Sequence, residues 1–441
     1  MTGLDATRVA AGAASLRFLI RTTHLDNGLT VVTERMPDVR SVTAGFWVAT
    51  GSRDEDLPIA GASHFLEHLL FKGTDTRAAR DIAEAIDAVG GDINAFTTKE
   101  YTAFYVRLLS ANLDIGLDIL SDIMWSPAFR PDDVEAERQV ILEEILMRND
   151  EPADLVHEAF CEAMFPGHAL GREVLGSEKT IESLSREEIG AFFGHHYRPG
   201  NNVMSAAGDL DHDEVVAGLE RRFAGEMGGT APVRKPPTSA SKRVQVVPRP
   251  TEQAHIVLGL AAIDRDDDDR YAMAIVNHVL GGGMSSRLFQ TIREERGLAY
   301  SVYSYRSAFE GAGLMAVYAG TAPARAQEVL ELLHVELDRM HATGVSEAEL
   351  TMAKGHLKGT MALSLEDSAA RMSRIGRSQL VHGEVESFDE IMAAIDEVSL
   401  DDVGRVAEEI LGRDRVLAVV GPFDEDAFAD SGPGADTRQS A

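Results

Sequence analysis

The sequence predicts an α+β protein built from two tandem homologous domains, each a mostly antiparallel sheet packed with helices. Three observations predict it. The chain has 441 residues, room for more than one ordinary domain. Apolar residues make up 44% and charged residues 26%, the balance of a folded globular chain. The two halves also repeat: an offset of 210 residues lays His68 on His278, Leu70 on Leu280 and Gly73 on Gly283. A period that long marks a duplicated domain and not a solenoid.

Taken in order, residues 1–24 are expected to form an extension. Asp5, Arg8 and Arg17 interrupt its short apolar stretches, so the apolar centre of a secretion signal is not expected there. The first domain is placed at 25–227. Alternation over 42–50 predicts a strand, an acidic loop follows, and 64–70 (HFLEHLL) predicts a helix. The aromatic-rich run NAFTTKEYTAFYV predicts one strand. Amphipathic helices are predicted around 111–125 and 133–148, and a short apolar strand over 203–207 closes the domain.

Residues 228–243, rich in Pro, Ser, Thr and basic groups, predict a linker. The second domain, 244–425, runs through the same series. A strand is predicted over 255–262, the acidic loop DRDDDDR follows, and 274–280 predicts a helix. Next come the aromatic strand YSVYSYRS, helices around 323–342 and 346–365, and a strand over 416–420. The polar stretch 426–441 is expected to be disordered.

Composition excludes several functions. The 42 basic against 72 acidic residues leave a net charge of -30, which repels phosphate backbones, so no nucleic-acid partner is expected. The single cysteine, Cys161, rules out an intramolecular disulfide. No apolar run reaches the length of a membrane span, so no membrane partner is expected. Arginine outnumbers lysine and alanine is abundant, which suits a GC-rich bacterium. A bacterial cytoplasmic location is expected, with the mitochondrial matrix as the alternative. The glycines at 281–283 lack the GxxxxGK[ST] and GxGxxG patterns, so they read as a turn and not a phosphate cradle.

The chemistry concentrates in His64-Phe-Leu-Glu67-His68. Two histidines at i and i+4 share one helical face and reach one metal ion. Glu67 sits beside them, placed to contact a water without being a ligand. The parts are those of HExxH in reverse order. The same residues also fit an ordinary helix with a solvated salt bridge. A catalytic zinc needs a third protein ligand. Glu137, Glu143 and Glu144 of AERQVILEEILM are candidates, and the residues alone do not choose among them. At the repeat position the second half has Ala274, Asn277 and His278, so it lacks one histidine and the glutamate. By themselves, Tyr300 reads as a packed strand aromatic and Arg293 as one charge in a charged run.

Four segments together resemble the pitrilysin family of inverse-motif zinc peptidases, in its half-sized branch with the mitochondrial processing peptidase and bacterial relatives. They are GASHFLEHLLFKGT, ERQVILEEI, GGDINAFTTKEYTAFYV and GGGMSSRLFQTIREERGLAYSVYS. The resemblance spans roughly residues 25 to 425. It implies one Zn²⁺ per chain, held by His64, His68 and Glu144, the last lying 76 positions beyond the second histidine. It implies that Glu67 activates the zinc-bound water and that Glu137 supports a ligand. It also implies that the strand of Asn94, Ala95 and Phe96 binds an extended peptide, with Arg293 and Tyr300 holding the substrate carbonyl and the oxyanion.

The implied activity is zinc-dependent endopeptidase action on peptides or unfolded polypeptide segments, basic ones among them, inside a chamber. The resemblance further implies a homodimer, in which Arg293 and Tyr300 face the partner's zinc site. The alternatives are the catalytic half of a heterodimer with an inactive homologue, or a non-catalytic assembly subunit of the same fold.

Overall fold

The computed structural model describes residues 19–223, 225, 227–238 and 241–429. Most of the expected extension (through residue 18), positions 239 and 240 of the linker, and the expected tail from residue 430 lie outside the described residues.

Strands β1 (Ile20–His24), β2 (Thr30–Arg35) and β3 (Ser41–Val48) lead into helices α1 (Ala62–Leu70) and α2 (Ala79–Asp87). Strands β4 (Asp92–Thr97) and β5 (Thr102–Leu109) follow. Helices α3 (Leu113–Trp125), α4 (Pro131–Asn149), α5 (Pro152–Met164), α6 (Glu178–Ser183) and α7 (Arg186–His196) precede strand β6 (Asn202–Gly208) and helix α8 (His212–Arg222). The chain continues through β7 (Val244–Pro248), β8 (Ala254–Ala261), α9 (Arg270–Gly281), β9 (Ala299–Phe309) and β10 (Ala312–Thr321). Helices α10 (Ala326–Thr343), α11 (Glu347–Ser364), α12 (Ser368–His382), α13 (Phe388–Glu397) and α14 (Leu400–Leu411) then precede strand β11 (Arg415–Gly421). No described helix is long and apolar enough to cross a membrane.

One sheet has the order β1-β2-β6-β3-β5-β4, the other β7-β11-β8-β10-β9. Without β1 the two orders coincide. Each has one parallel pair, β2 with β6 and β7 with β11, among otherwise antiparallel pairings. Two mostly antiparallel sheets of one topology are the architecture expected of a duplication.

The aromatic run read as one strand is a hairpin. Thr98 breaks it: its Oγ1 accepts from the Tyr101 N–H at 3.1 Å and donates to the Tyr101 carbonyl at 2.9 Å. That closes a turn between β4 and β5. Alternation alone hides such a turn, because the residues on both sides keep the period of two.

The contact pattern divides the chain into two compact units. The first comprises residues up to 145, 173–233 and 361–391; the second comprises 146–172, 234–360 and those from 392 onward. The contiguous division at 25–227 and 244–425 is thus crossed by two exchanged segments. The reason is that each sheet has two faces to cover. In the first unit Val42, Ala44, Phe46 and Val48 of β3 enter a core with α1 and α3, while Trp47 enters a separate cluster with Met372 and Ile375 of α12.

Helix α12 docks through polar contacts as well. Trp47 Nε1 donates to Ser205 Oγ at 2.8 Å, and Ser205 Oγ donates to the Met372 carbonyl at 3.1 Å. Buried Glu34 of β2 pairs with both Arg371 and Arg374. In the second unit α5 plays the corresponding part. Its Val156, Phe160 and Ala163 pack with Val257, Ala316 and Ala418 of that sheet.

Close approach of α12 depends on Gly376. A Cβ there would lie 2.3 Å from Trp47 Nε1 and 2.5 Å from Ser205 Oγ. Alanine favours a helix interior by about 1 kcal/mol over glycine. Overpacking opposes it by about 1–3 kcal/mol. Gly376→Ala is expected to lower stability in denaturant unfolding; a raised midpoint would show that α12 does not sit this close.

Candidate metal centre

Helix α1 is short and buried almost all round: Ala62, Ser63, His64, Phe65, Leu66, Leu69 and Leu70 are all buried. A helix of that kind is fixed by its surroundings and not by its intrinsic propensity. Its start is fixed by two devices. Gly61 takes a left-handed φ of 100°, and a Cβ there would meet Ile181 Cδ1 at 2.6 Å. Buried Glu55 accepts from the N–H groups of Gly61 and Ser63, each at 2.7 Å. A carboxylate on these free amides also suits the positive end of the helix.

The i, i+3, i+4 spacing turns His64, Glu67 and His68 to one side. The two imidazole centroids lie 4.7 Å apart. Helix α4 brings Glu144 to the same point: its Oε2 lies 3.6 Å from both His64 Nε2 and His68 Nε2. Donor atoms of His64, His68 and Glu144 all fall within 4.8 Å of one another, the one such group of three among the described residues. Of the three glutamates left open by the spacing, Glu143 is exposed and outside this group.

Glu137, two turns earlier on α4, is buried behind the histidine. Its Oε2 lies 3.0 Å from His68 Nδ1, and its Oε1 lies 2.5 Å from Lys72 Nζ. A carboxylate there accepts the Nδ1 proton and leaves the His68 Nε2 lone pair facing Glu144. Two imidazole nitrogens and one carboxylate oxygen are a donor set that suits zinc. The residues present therefore fit the implied ion.

Burial raises the Glu67 carboxyl above its ordinary pKa, with Glu144 adding to the shift. The polar groups of Thr97 and the charge of His68 pull the other way. Thr97 ends β4, so the edge strand and the glutamate are neighbours. Tyr197 lies buried nearby. Burial raises its phenol, and the carboxylates of Glu67 and Glu55 push in the same direction.

The strand residues are distributed as follows. β4 is the edge of its sheet and pairs only with β5 among the described residues. The Ala95 N–H donates to the side-chain oxygen of its own neighbour, Asn94, at 2.8 Å. Phe96 is half-buried against Trp47, with ring centroids 5.7 Å apart, so its side chain is a packing element. Arg293 and Tyr300 belong to the second unit and meet each other. Arg293 Nη1 donates to the Tyr300 carbonyl at 2.9 Å, and its guanidinium lies 4.7 Å from the Tyr300 ring centroid. Arg293 is carried by a π-helical turn, Phe289–Glu294, and the Tyr300 side chain is exposed.

The sequence reading missed Glu55 and Lys72. Lys72 stands four residues after His68, a spacing that offered a signal. Glu55 offered none: it caps amides six and eight residues away, outside any local capping pattern. Glu55→Ala strands two buried N–H groups and is expected to cost about 1–3 kcal/mol in denaturant unfolding. A cost near zero would mean that water replaces the carboxylate.

Comparison with known proteins follows the two halves. Residues 30–178 match the family model described as Insulinase (Peptidase family M16), and residues 183–357 match Peptidase M16 inactive domain. An uncharacterized zinc protease of Streptomyces coelicolor is 46% identical over 92% of this chain and 90% of its own length. One from Mycobacterium tuberculosis is 44% identical over 91% and 93%, and YmxG of Bacillus subtilis, also named an uncharacterized zinc protease, is 38% identical over 92% and 98%. Among solved structures, a peptidase M16 inactive domain from Pseudomonas fluorescens superposes with a TM-score of 0.86. It has 22% identity and covers 92% of this chain and 98% of that one. A putative M16-like peptidase from Alicyclobacillus acidocaldarius gives 0.81 at 24% identity, covering 92% and 98%. These structures share the fold; the sequence relatives and the family models go further, and the chain belongs to peptidase family M16.

Proposed function

We propose that the protein is a zinc-dependent endopeptidase acting on peptides or extended, unfolded segments. The observation that carries this reading is the convergence of His64, His68 and Glu144, with Glu67 on the same helical face. The names of the relatives support it, since they are zinc proteases. His64, His68 and Glu144 would hold one zinc ion per chain. Zinc bound there supplies a Lewis acid that polarises a carbonyl and acidifies water.

The chain's own residues do the rest. Glu67 takes a proton from the attacking water and delivers it to the leaving amine. Its raised pKa suits a group that must hold a proton between those two moments. Glu137, charge-balanced by Lys72, fixes the His68 ring and tautomer. The open edge of β4 around Asn94 and Ala95 pairs with the substrate backbone. An incoming strand would displace the Asn94 side chain from the Ala95 N–H. Pairing of that kind reads extended backbone and suits unfolded substrates. The net charge of -30 favours basic peptides among them.

Arg293 and Tyr300 act on the substrate from the partner in a homodimer, with Arg293 on a substrate carbonyl and Tyr300 donating its hydroxyl to the oxyanion. The exposure of Tyr300 and its fixed contact with Arg293 support that role. A single chain carries both residue sets, so two copies suffice.

The direct test measures zinc content and peptide cleavage for the wild type beside Glu67→Gln. Zinc is expected to stay and cleavage to fall about 10²-fold or more. Equal cleavage by the two proteins would end this mechanism. In the same assays Glu137→Gln is expected to weaken zinc binding by about 10–100-fold. For the assembly, light scattering is expected to give the mass of two chains. A monomer with full activity would contradict the dimer.

A further inference from the structure

We propose that the hydroxyls of Thr97 and Tyr197 aim the Glu67 carboxyl during proton transfer, as positioning residues of the peptidase site. This role rests on the reading of Glu67 as the base, and it adds two groups from outside the metal helix. Thr97 ends β4, the strand proposed to pair with substrate, and Tyr197 directly follows α7.

Two buried polar atoms lack partners here. Thr97 Oγ1 and Tyr197 Oη are both shielded from solvent and make no hydrogen bond. A buried hydroxyl left unpaired is unfavourable, and native chains rarely keep one without a use. Packing does not supply the use. Tyr197 is 4% exposed and sits in the core that includes α1, its ring centroid 4.9 Å from Phe193 and 6.3 Å from Phe104. Phenylalanine would fill that place. Valine would suit the end of β4 as well as Thr97 does. Each residue thus carries one oxygen more than its packing needs.

Both oxygens have Glu67 as a neighbour. The hydroxyl and N–H of Thr97 hold the Glu67 carboxyl down against its burial. The Glu67 charge in turn reaches the Tyr197 phenol and pushes it up. Other polar groups nearby are occupied. Thr102 faces Thr97 across the β4–β5 pair and gives its proton to the Thr50 carbonyl at 3.0 Å. Glu55, the other carboxylate that acts on Tyr197, accepts from the N–H groups of Gly61 and Ser63.

The chemistry of the base explains why two donors would be kept for it. A carboxylate offers two oxygens and about four lone-pair positions. One oxygen must face the attacking water and then the leaving amine. The other can accept from Thr97 and Tyr197, which fixes the plane of the carboxyl through both moments. Neither hydroxyl has to give up its proton, and the raised pKa of Tyr197 keeps it a donor. Thr97 also shares β4 with Asn94 and Ala95, so the strand that would hold the substrate carries a donor to the base.

The test measures kcat, KM, zinc content and unfolding midpoint for Tyr197→Phe, Thr97→Val and Thr97→Ser beside Glu67→Gln. Tyr197→Phe and Thr97→Val are each expected to lower kcat by about tenfold, with KM and zinc content unchanged. Neither should lower the midpoint, because the lost hydroxyl has no partner. Thr97→Ser keeps a hydroxyl and should restore most of the loss. Wild-type kcat in either hydroxyl-free variant, with Glu67→Gln inactive, would overturn the role of that residue and leave the mechanism standing. A loss of kcat that tracks lost zinc or a lower midpoint would mark the hydroxyls as structural and overturn it too. Full cleavage by Glu67→Gln would remove the mechanism and this role together.

Discussion

The contact between His68 Nδ1 and Glu137 Oε2, at 3.0 Å, is the constraint on which the candidate metal centre depends. It ties α1 to α4 at a fixed height. Once Glu137 is placed behind His68, the helical repeat carries Glu144 two turns on, to the front of both histidines. The same bond settles which imidazole nitrogen carries the proton. Lys72 keeps a counter-charge on the buried carboxylate, without which its burial would be costly. Glu55 holds the other end of α1. A helix of nine residues thus has its register fixed at its start and in its last turn.

The second unit shows what the scaffold does without these groups. Its sheet repeats the strand order of the first, and α9 occupies the place of α1. The apolar positions persist because each sheet still needs covering. The first histidine and the glutamate of the motif do not persist, being Ala274 and Asn277 here, because nothing in packing requires them. Helices α5 and α12 extend the same logic. Each covers a sheet face in the unit to which its sequence neighbours do not belong, and Gly259 and Gly376 provide the space. A Cβ at Gly259 would meet Phe160 of α5 at 2.5 Å.

Much of this was legible in the sequence, for local reasons. The 210-residue offset disclosed the duplication, and i, i+4 spacing disclosed the shared face of His64 and His68. Glu144 was different. Spacing left three glutamates open, and only the family resemblance favoured one. The hairpin at β4 and β5 was read as one strand because its turn is made by the Thr98 side chain and not by glycine or proline. The exchange of α5 and α12 was not legible at all. An amphipathic pattern says that a helix must cover something but not which sheet. Glu55 escaped for the same reason, since its partners are set by the path of the chain in space.

The most direct measurement of the central claim is a zinc X-ray absorption spectrum of the full chain loaded with one equivalent. The account predicts two imidazole nitrogens and a carboxylate oxygen at about 2.0–2.2 Å, with no sulfur. A sulfur scatterer, or a shell with fewer than two imidazoles, would contradict a centre built from His64, His68 and Glu144.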